Sequence, residues 1–226
     1  MSYPLPNRTR PPTVMDTIYY RRKLPHIHPQ NNPLFITFSL VDSLPAAVVA
    51  ELKTQREKEL QAAKSAEERY TIQKKYFGHY DEWLDRCEHG HDWLRQESIA
   101  QIVADEIHQA ASHHYELYAY CIMPNHVHLL ILSLIEKFPP SNMKSAISPI
   151  AEIMRLLKGR TARYCNLALN RMGAFWHHEY YDHYVRDEKE MERIILYILN
   201  NPVKAGLVNE WKDWKFAYVN PEFGEW

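Results

Sequence analysis

Residues 121–132 read CIMPNHVHLLIL, an apolar stretch that contains two histidines separated by one valine. The apolar and β-branched residues after the Pro-Asn pair predict a strand that starts at His126. Successive side chains of a strand point to opposite faces, so His126 and His128 share a face at roughly 6.5–7 Å while Val127 points away. Two convergent imidazoles are half of a metal site, and a pair of surface histidines is the alternative.

The segments around this stretch predict a sheet covered by helices. Strands are predicted at 34–41, 115–123, 126–133 and 180–185. Amphipathic helices are predicted at 97–114, 149–169 and 186–201. With the segment after residue 41, the order is strand, interrupted helix, strand, strand, helix, strand, helix. That order predicts an α+β, ferredoxin-like (split βαββαβ) antiparallel sheet with helices on one face and an added C-terminal helix.

The chain is expected to contain one domain at 34–219, with a basic N-terminal arm at 1–33 and a C-terminal tail at 220–226. The arm is rich in Pro, Asn and Arg and has no periodicity, which predicts irregular structure. A helical insertion is expected at about 46–97. Within it, residues 45–76 have sparse apolar positions and charges of alternating sign, which are typical of a solvated hairpin or a projecting helix.

The composition is that of an ordinary globular protein. The 226 residues are 46% hydrophobic and 24% charged. No apolar run approaches the ~20 residues of a membrane span. The N-terminal stretch has no apolar h-region, so we expect no signal peptide, no membrane contact and a cytoplasmic location.

The cysteines at 87, 121 and 165 are widely spaced, which predicts reduced thiols rather than disulfides or a zinc ribbon.

Positive charge is concentrated in two windows, although the formal net charge is −1. Residues 1–30 hold five Lys or Arg and one acid, and residues 137–171 hold seven and one, so the windows carry +4 and +6. Basic patches of this kind can neutralise phosphates within a neutral protein, and a solvated charged face is the alternative.

The predicted C-terminal helix offers a third ligand for the histidine pair. Tyr197 and Asn201 stand four residues apart, hence on one helical face at roughly 6 Å. An Asn carboxamide oxygen is a neutral hard ligand, so a divalent cation would keep its full charge for a phosphate. A tyrosine one turn away would then stand beside that phosphate, and the cation would favour ionisation of the phenol. The alternative for Tyr197 is a core aromatic residue.

Several motifs taken together resemble one family. They are RRKLPH with FITFSLVDSLP, then MPNHVHLLI, FWHHEYYDHYVRD and the helix ILYILNNPVKAGLV, and they extend from Arg21 to Val219. This set is similar to the REP-associated tyrosine transposases. These belong to the HUH single-tyrosine transposases and are related to the transposases of the smallest insertion sequences.

The resemblance implies a single-stranded DNA endonuclease and strand transferase. His126, His128 and Asn201 would bind Mg²⁺ or Mn²⁺. Tyr197 would attack a scissile phosphate, giving a 5′-phosphotyrosine and a free 3′-OH, and reversal with another 3′-OH would rejoin strands.

The resemblance also implies a DNA partner, an imperfectly palindromic repeat that forms a hairpin. The basic residues at matching positions lie in the arm and in the helix at 149–169: Arg21, Arg22, Lys23, Lys158, Arg160 and Arg163. The chain is expected to act as a monomer, with a dimer as the alternative. The insertion could alter DNA choice or block dimerisation.

Other ligands and other functions remain open at this stage. His26 with His28, His89 with His91, and the run HHEYYDH at 177–183 are rival histidine clusters. A domesticated hairpin-binding regulator without catalysis and a phosphoesterase that uses water as its nucleophile are rival functions.

Overall fold

The computed structural model describes residues 17–21, 25–29, 31–111, 113–134 and 148–223. The strands are Thr17–Arg21 (β1), Pro25–Pro29 (β2), Leu34–Ser39 (β3), Tyr115–Ile122 (β4), His126–Ser133 (β5), Tyr181–Tyr184 (β6) and Ala217–Val219 (β7). The helices are Ala46–Ala62 (α1), Ala66–Asp85 (α2), Glu97–Ala111 (α3), Pro149–Ala168 (α4) and Glu188–Lys204 (α5). Within these ranges, no helix combines the length and the apolar character that a membrane crossing requires.

Five strands form one antiparallel sheet in the order β6-β3-β5-β4-β7. Without β7, this is the strand order of a split βαββαβ fold, so the predicted ferredoxin-like architecture is confirmed. In the central pair, His126 lies opposite Ser39 and His128 lies opposite Thr37. The start of β5 is therefore flanked by short polar side chains.

The two faces of the sheet pack against different helices. On β5, Val127 and Leu129 face α3 and α4 and join their apolar residues in one core. Leu130 points the other way, toward α5 and the C-terminal half of α2. Because side chains alternate along a strand, His126 and His128 lie on this second side.

Helix α5 begins at a side-chain cap and carries an apolar stripe. The Asp187 carboxylate accepts a hydrogen bond from the Glu190 N–H at 2.8 Å, which satisfies one of the N–H groups that have no partner inside the helix. The apolar residues that pack on the sheet recur at helical spacing: Met191, Ile194, Ile195, Ile198 and Leu199. This stripe fixes which face of α5 meets β5.

Helix α5 is longer than the sequence predicts. The predicted end is Asn201, but the helix continues through Pro202 to Lys204. A proline removes only its own N–H bond, and in the last turn this loss does not end the helix. Gly206 follows with φ 68°, a conformation that suits the residue after a helix end. The extension places Lys204 one turn beyond Asn201.

The insertion is less independent than predicted. Helix α1 is largely exposed, as expected of a solvated hairpin. Helix α2 extends beyond the charged segment 45–76 to Asp85, and it buries Phe77 and Leu84. These apolar residues pull the C-terminal half of α2 onto the sheet.

The ends of the chain also contain structure. The arm predicted to be irregular holds an antiparallel hairpin, in which β1 pairs with β2. At the other end, β7 pairs with β4 and adds a fifth strand to the sheet. Phe223 is buried with its ring centroid 4.6 Å from that of Tyr118.

Candidate metal and tyrosine site

Strand β5 delivers two buried imidazoles to one point. The Nε2 atoms of His126 and His128 lie 2.9 Å apart, and both residues have no exposed surface. Nδ1 of His126 lies 2.7 Å from Oδ1 of Asn125, whose amide nitrogen donates to the Leu84 carbonyl. Oδ1 of Asn125 can only accept, so Nδ1 of His126 carries the proton and Nε2 keeps a lone pair. Nδ1 of His128 has the Thr37 hydroxyl at 2.9 Å, which allows the same tautomer.

Helix α5 brings Asn201 and Tyr197 to these imidazoles, as the sequence predicts. Nδ2 of Asn201 lies 3.1 Å from Nε2 of His128 and 3.0 Å from Oδ1 of Asp85. The Oδ1 atom of Asn201 is buried and has no hydrogen-bond partner among the described residues. A half-turn of the amide would exchange its two ends and direct this oxygen at the histidines. The Tyr197 ring centroid lies 5.3 Å from that of His128.

Helix α2 adds two buried carboxylates. Oδ1 of Asp85 lies 3.6 Å from Nε2 of both His126 and His128. One turn earlier, Oδ2 of Asp81 accepts a hydrogen bond from the Tyr197 hydroxyl at 2.5 Å. The same hydroxyl lies 3.3 Å from Oδ2 of Asp85. The candidate site therefore has three walls, which are β5, α5 and α2.

The charges in this cluster depend on one another. Burial opposes a charge on His128, but the Asp81 and Asp85 carboxylates outweigh burial and raise its pKa. Burial, together with the charge of His128, lowers the pKa of His126 well below its ordinary value. Burial also opposes the charge of Asp85, yet its contacts with His128 and His126 hold its pKa below the ordinary value. The cluster thus favours one positive charge beside Asp85.

Tyr197 is held as a neutral phenol. Burial and the charges of Asp81 and Asp85 raise the pKa of Tyr197. The hydroxyl therefore stays protonated and donates a hydrogen bond to the carboxylates. Burial raises the pKa of Asp81 to about 6. A carboxylate with this pKa, already bonded to the phenol, can accept the phenolic proton near neutral pH.

The donor atoms of this cluster fit a divalent cation. One ligand atom each from Asp85, His126 and His128 lie within 4.8 Å of one another, and all three residues are buried. The partnerless Oδ1 of Asn201 is a fourth oxygen or nitrogen donor at the same place. Two imidazoles with carboxylate and amide oxygens suit Mn²⁺ and can also accept Mg²⁺.

A groove between α2 and α5 gives access to the tyrosine. It encloses about 950 Å³, counting its open mouth, and its lining includes Asp81 and Tyr197. Tyr197 is partly exposed there. Lys204 and Arg193 also line the groove. Lys204 lies 2.9 Å from Oδ2 of Asp85. Cationic side chains beside the tyrosine suit the approach of a phosphate backbone.

The basic residues of α4 lie on the opposite face of the sheet from this cluster. Nζ of Lys158 donates to the backbone carbonyls of residues 177, 178 and 179 at 2.6, 3.1 and 3.3 Å. Arg160 lies 3.6 Å from the Glu106 carboxylate, and Arg163 is exposed.

The basic residues of the arm are only partly described. Arg21 is the last residue of β1, whereas Arg22 and Lys23 lie outside the described residues. DNA contact by these six residues stays a prediction.

The rival histidine clusters have other neighbours. His183 lies 3.1 Å from the Tyr70 hydroxyl and 3.1 Å from the Glu190 carboxylate, one contact for each ring nitrogen. The His91 ring stacks on Trp93 with centroids 3.9 Å apart. His26 and His28 are part of β2, in the separate two-stranded sheet.

Three residues of this cluster are absent from the sequence prediction: Asp81, Asp85 and Lys204. The signal for the carboxylates was present, because positions 81 and 85 are four apart and share one face of a helix. Local pattern did not show that this face meets β5. Lys204 lies beyond the predicted helix end at Asn201, because a proline usually marks the end of a helix.

Residues 86–201, just over half of the chain, match the family model described as transposase, IS200 like. The chain therefore belongs to the IS200-like transposase family. The matched range holds His126, His128 and Tyr197 and ends at Asn201. It begins directly after Asp85, so the two carboxylates of α2 lie outside it.

Two similar proteins carry a more specific description. A Haemophilus influenzae protein named as a REP-associated tyrosine transposase is 30% identical over 115 residues, which are 48% of this chain and 62% of that protein. The chain thus spans less than two thirds of the length of this relative. A solved structure of a REP-associated tyrosine transposase bound to a REP hairpin is 16% identical, with a TM-score of 0.48. The match covers 88% of this chain and 80% of that one.

Proposed function

We propose that this chain is a metal-dependent transposase that cuts and rejoins single-stranded DNA at hairpin-forming repeats, with Tyr197 as the nucleophile. The observation that carries the proposal is one cluster, reached by a groove, in which Asp85 lies within 3.6 Å of the Tyr197 hydroxyl and of polar atoms of His126, His128 and Asn201. The family of the chain and the descriptions of its relatives support the same reading.

In the proposed cleavage, Oη of Tyr197 attacks the scissile phosphorus. A P–Oη bond forms and the P–O3′ bond breaks, which leaves a 5′-phosphotyrosine on the protein. The phenolic proton passes to Oδ2 of Asp81, already its hydrogen-bond partner at 2.5 Å. The departing 3′-oxygen takes up a proton from water and becomes a 3′-OH. Attack by another 3′-OH on the phosphotyrosine reverses these bond changes and joins two strands.

His126, His128 and Asn201 would hold Mg²⁺ or Mn²⁺, with Asp85 as a further candidate ligand. Such an ion supplies Lewis-acid polarisation of the phosphate oxygens. The chain's own contribution is positioning. Asn125 and Thr37 orient the two imidazoles through Nδ1, and α5 fixes the tyrosine one turn from Asn201. Lys204 offsets the charge of Asp85 beside the phenol.

The proposed DNA contacts outside the cluster are the six basic residues predicted from the sequence, in the arm and on α4. Arg160 and Arg163 are exposed on α4 and could contact a hairpin stem that wraps past the sheet edge. Arg21, Arg22 and Lys23 would extend this contact from the arm. Lys158 is the weakest candidate for DNA contact among the six residues, because its ammonium group already donates hydrogen bonds to three backbone carbonyls. We propose a monomer as the acting unit.

The proposal can be tested with a pool of hairpin oligonucleotides that carry randomised single-stranded flanks and a fluorescent 3′ end. After incubation with Mn²⁺, wild-type protein should carry the fluorescence through a denaturing gel, because its tyrosine keeps the 3′ fragment by its 5′ phosphate. Tyr197→Phe should carry none. Tyr164→Phe is the matched control, since Tyr164 is exposed on α4, away from the cluster.

Three other results would contradict the proposal. Equal cleavage by Tyr197→Phe, without labelled protein, would indicate water as the nucleophile. Binding of the pool by the wild type without any cleavage would favour the silent regulator. Loss of labelled protein in Tyr164→Phe would show that the assay reports folding rather than the nucleophile.

A further inference from the structure

A second pocket lies beside the candidate site, between the insertion helices and the edge of the sheet. It encloses about 620 Å³, counting its mouth. Its walls come from α1, α2, β3 and the segment 177–181. Helices α1 and α2 lie outside the range that matches the transposase family. We call this space the insertion pocket.

The insertion pocket contains a largely buried guanidinium with two nitrogen atoms that have no hydrogen-bond partner among the described residues. Arg56 of α1 lines the pocket and is only 8% exposed. Its Nε and Nη1 atoms are buried and make no hydrogen bond to any described residue. The guanidinium lies over the Tyr76 ring at 4.7 Å, a contact that satisfies none of its N–H groups. Buried N–H groups of a charged side chain are costly when they have no acceptor, so an anionic ligand is the natural complement of Arg56.

The other lining residues suit a nucleotide better than a bare anion. Lys53 adds a second cation, and four tyrosines surround the space: Tyr76, Tyr80, Tyr180 and Tyr181. Aromatic rings of this kind stack on unpaired bases. Glu179 also lines the pocket, and its Oε2 is buried without a partner among the described residues. A carboxylate repels a phosphate but accepts hydrogen bonds from the amino group of a base.

The insertion pocket shares a wall with the candidate site. Thr37 lines the pocket, and its hydroxyl lies 2.9 Å from Nδ1 of His128. Ser39, opposite His126 in the sheet, lines it too. Tyr181 lines both the insertion pocket and the groove that reaches Tyr197. A DNA strand whose phosphate reaches Tyr197 would therefore pass close to the pocket.

We infer that the insertion pocket binds one unpaired nucleotide of the DNA strand that enters the Tyr197 site. Arg56 and Lys53 hold its phosphate, the tyrosines pack on its base, and Glu179 accepts a hydrogen bond from an exocyclic amino group. Adenine, cytosine and guanine carry such a group and thymine does not. The inference rests on the proposed function, because its ligand is the DNA strand. It assigns to the insertion a part in the choice of DNA sequence.

The test measures binding without cleavage, by fluorescence anisotropy of labelled 12-nucleotide oligo-dA, oligo-dC and oligo-dT in the presence of a chelator. Wild-type protein should bind oligo-dA and oligo-dC more tightly than oligo-dT. Arg56→Met should bind all three about tenfold more weakly, because a charge-assisted phosphate contact is lost. The slope of log affinity against log salt should fall by about 0.7. Glu179→Gln should narrow the difference between oligo-dC and oligo-dT.

Arg155→Met is the matched control, since Arg155 is exposed on α4 and paired with Glu152. It should bind like the wild type. Arg56→Met should also melt no lower than the wild type, because it removes an unpaired buried charge. If it does melt lower, Lys53→Met gives the same measurement from a half-buried residue of the pocket.

Unchanged affinity and salt slope in Arg56→Met, or in Lys53→Met where that variant replaces it, would overturn the inference. Equal binding of the three oligonucleotides by the wild type would overturn the assignment of a nucleotide with an amino-bearing base. These readouts involve no chemistry at Tyr197. A negative result for cleavage by Tyr197 and a negative result for nucleotide binding in the insertion pocket can therefore be told apart.

Discussion

On the side of α3 and α4, strand β5 buries Val127, Leu129 and Ile131 among apolar side chains, whereas on the side of α2 and α5 it buries two imidazoles at its start. The β5 side chains are buried on both sides. The two sides differ in cost, because apolar burial stabilises the fold and buried polar groups require partners. The α2 and α5 side meets that requirement only in part, since Oδ1 of Asp81 and Oδ1 of Asn201 have no partner among the described residues.

Stability and chemistry therefore reside on different sides of the sheet in this chain. The apolar side holds the sheet and its two helices together mainly through packed apolar side chains. The polar side holds a buried cluster in which two oxygen atoms, one of Asp81 and one of Asn201, have no hydrogen-bond partner among the described residues. We expect substitutions on the two sides to separate stability from activity.

His128→Ala should have the largest effect on activity. The variant removes an imidazole of the proposed metal site, so several kcal/mol of phosphate stabilisation is lost and cleavage should fall about 1,000-fold. Divalent ions should raise the melting temperature of the wild type and not that of His128→Ala, because only a folded, intact site binds them. Single-turnover cleavage and melting curves with and without Mn²⁺ check both expectations. Retained cleavage in His128→Ala would place the metal elsewhere.

Asp81→Asn should lower cleavage by roughly 100-fold or more, which is the usual contribution of a proton acceptor. Asp81 accepts a proton only when ionised, and burial raises its pKa to about 6. The wild-type rate should therefore rise with pH through about 6 and then level off, and Asp81→Asn should lose this inflection. Asp105→Asn, at an exposed position of α3, is the control. An inflection that survives in Asp81→Asn would exclude Asp81 as the acceptor.

Leu129→Ala, one residue after His128, should affect stability instead. Leu129 is fully buried on the apolar side, so its truncation should cost roughly 2–5 kcal/mol of unfolding free energy. Cleavage per folded molecule should stay within about twofold of the wild type, because no polar contact of the cluster changes. Denaturant unfolding and single-turnover rates provide the measurements. A large fall in the rate of the folded variant would show that the two sides are not separable.

Lys158→Met and Arg163→Met should give the smallest effects and sharpen the role of α4. Lys158 donates to three backbone carbonyls, so Lys158→Met should lose about 1–3 kcal/mol of stability. Arg163 is exposed, and Arg163→Met should change stability by less than about 0.5 kcal/mol. Any DNA contact by Arg163 should then appear as weaker hairpin binding at unchanged melting temperature. Equal stability of the two variants would contradict the structural role of Lys158.

The sequence predicted the parts of this site that depend on local periodicity. The alternation of a strand places His126 and His128 on one face, and the helical repeat places Tyr197 and Asn201 on another. Turn residues and apolar runs indicated the order of strands and helices along the chain, and that order predicted the ferredoxin-like fold. The hairpin of β1 and β2 was missed, because its strands have only five residues each and lie in an arm rich in Pro and Asn that lacks a regular alternation.

The α2 carboxylates could not be predicted in the same way. Asp81 and Asp85 share a helical face, but charged residues dominate the insertion and are typical of a solvated helix. Only the packing of Phe77 and Leu84 turns that face toward β5. The relation between a helix and a sheet distant in sequence is a tertiary property, which local pattern does not contain.

The most direct test of the shared tyrosine and metal site is peptide mass spectrometry of the protein after incubation with Mn²⁺ and a cleavable hairpin oligonucleotide. The account predicts a nucleotide adduct on the peptide that contains Tyr197, present in the wild type and absent from His128→Ala. An adduct on another residue, or cleaved DNA without any protein adduct, would contradict it.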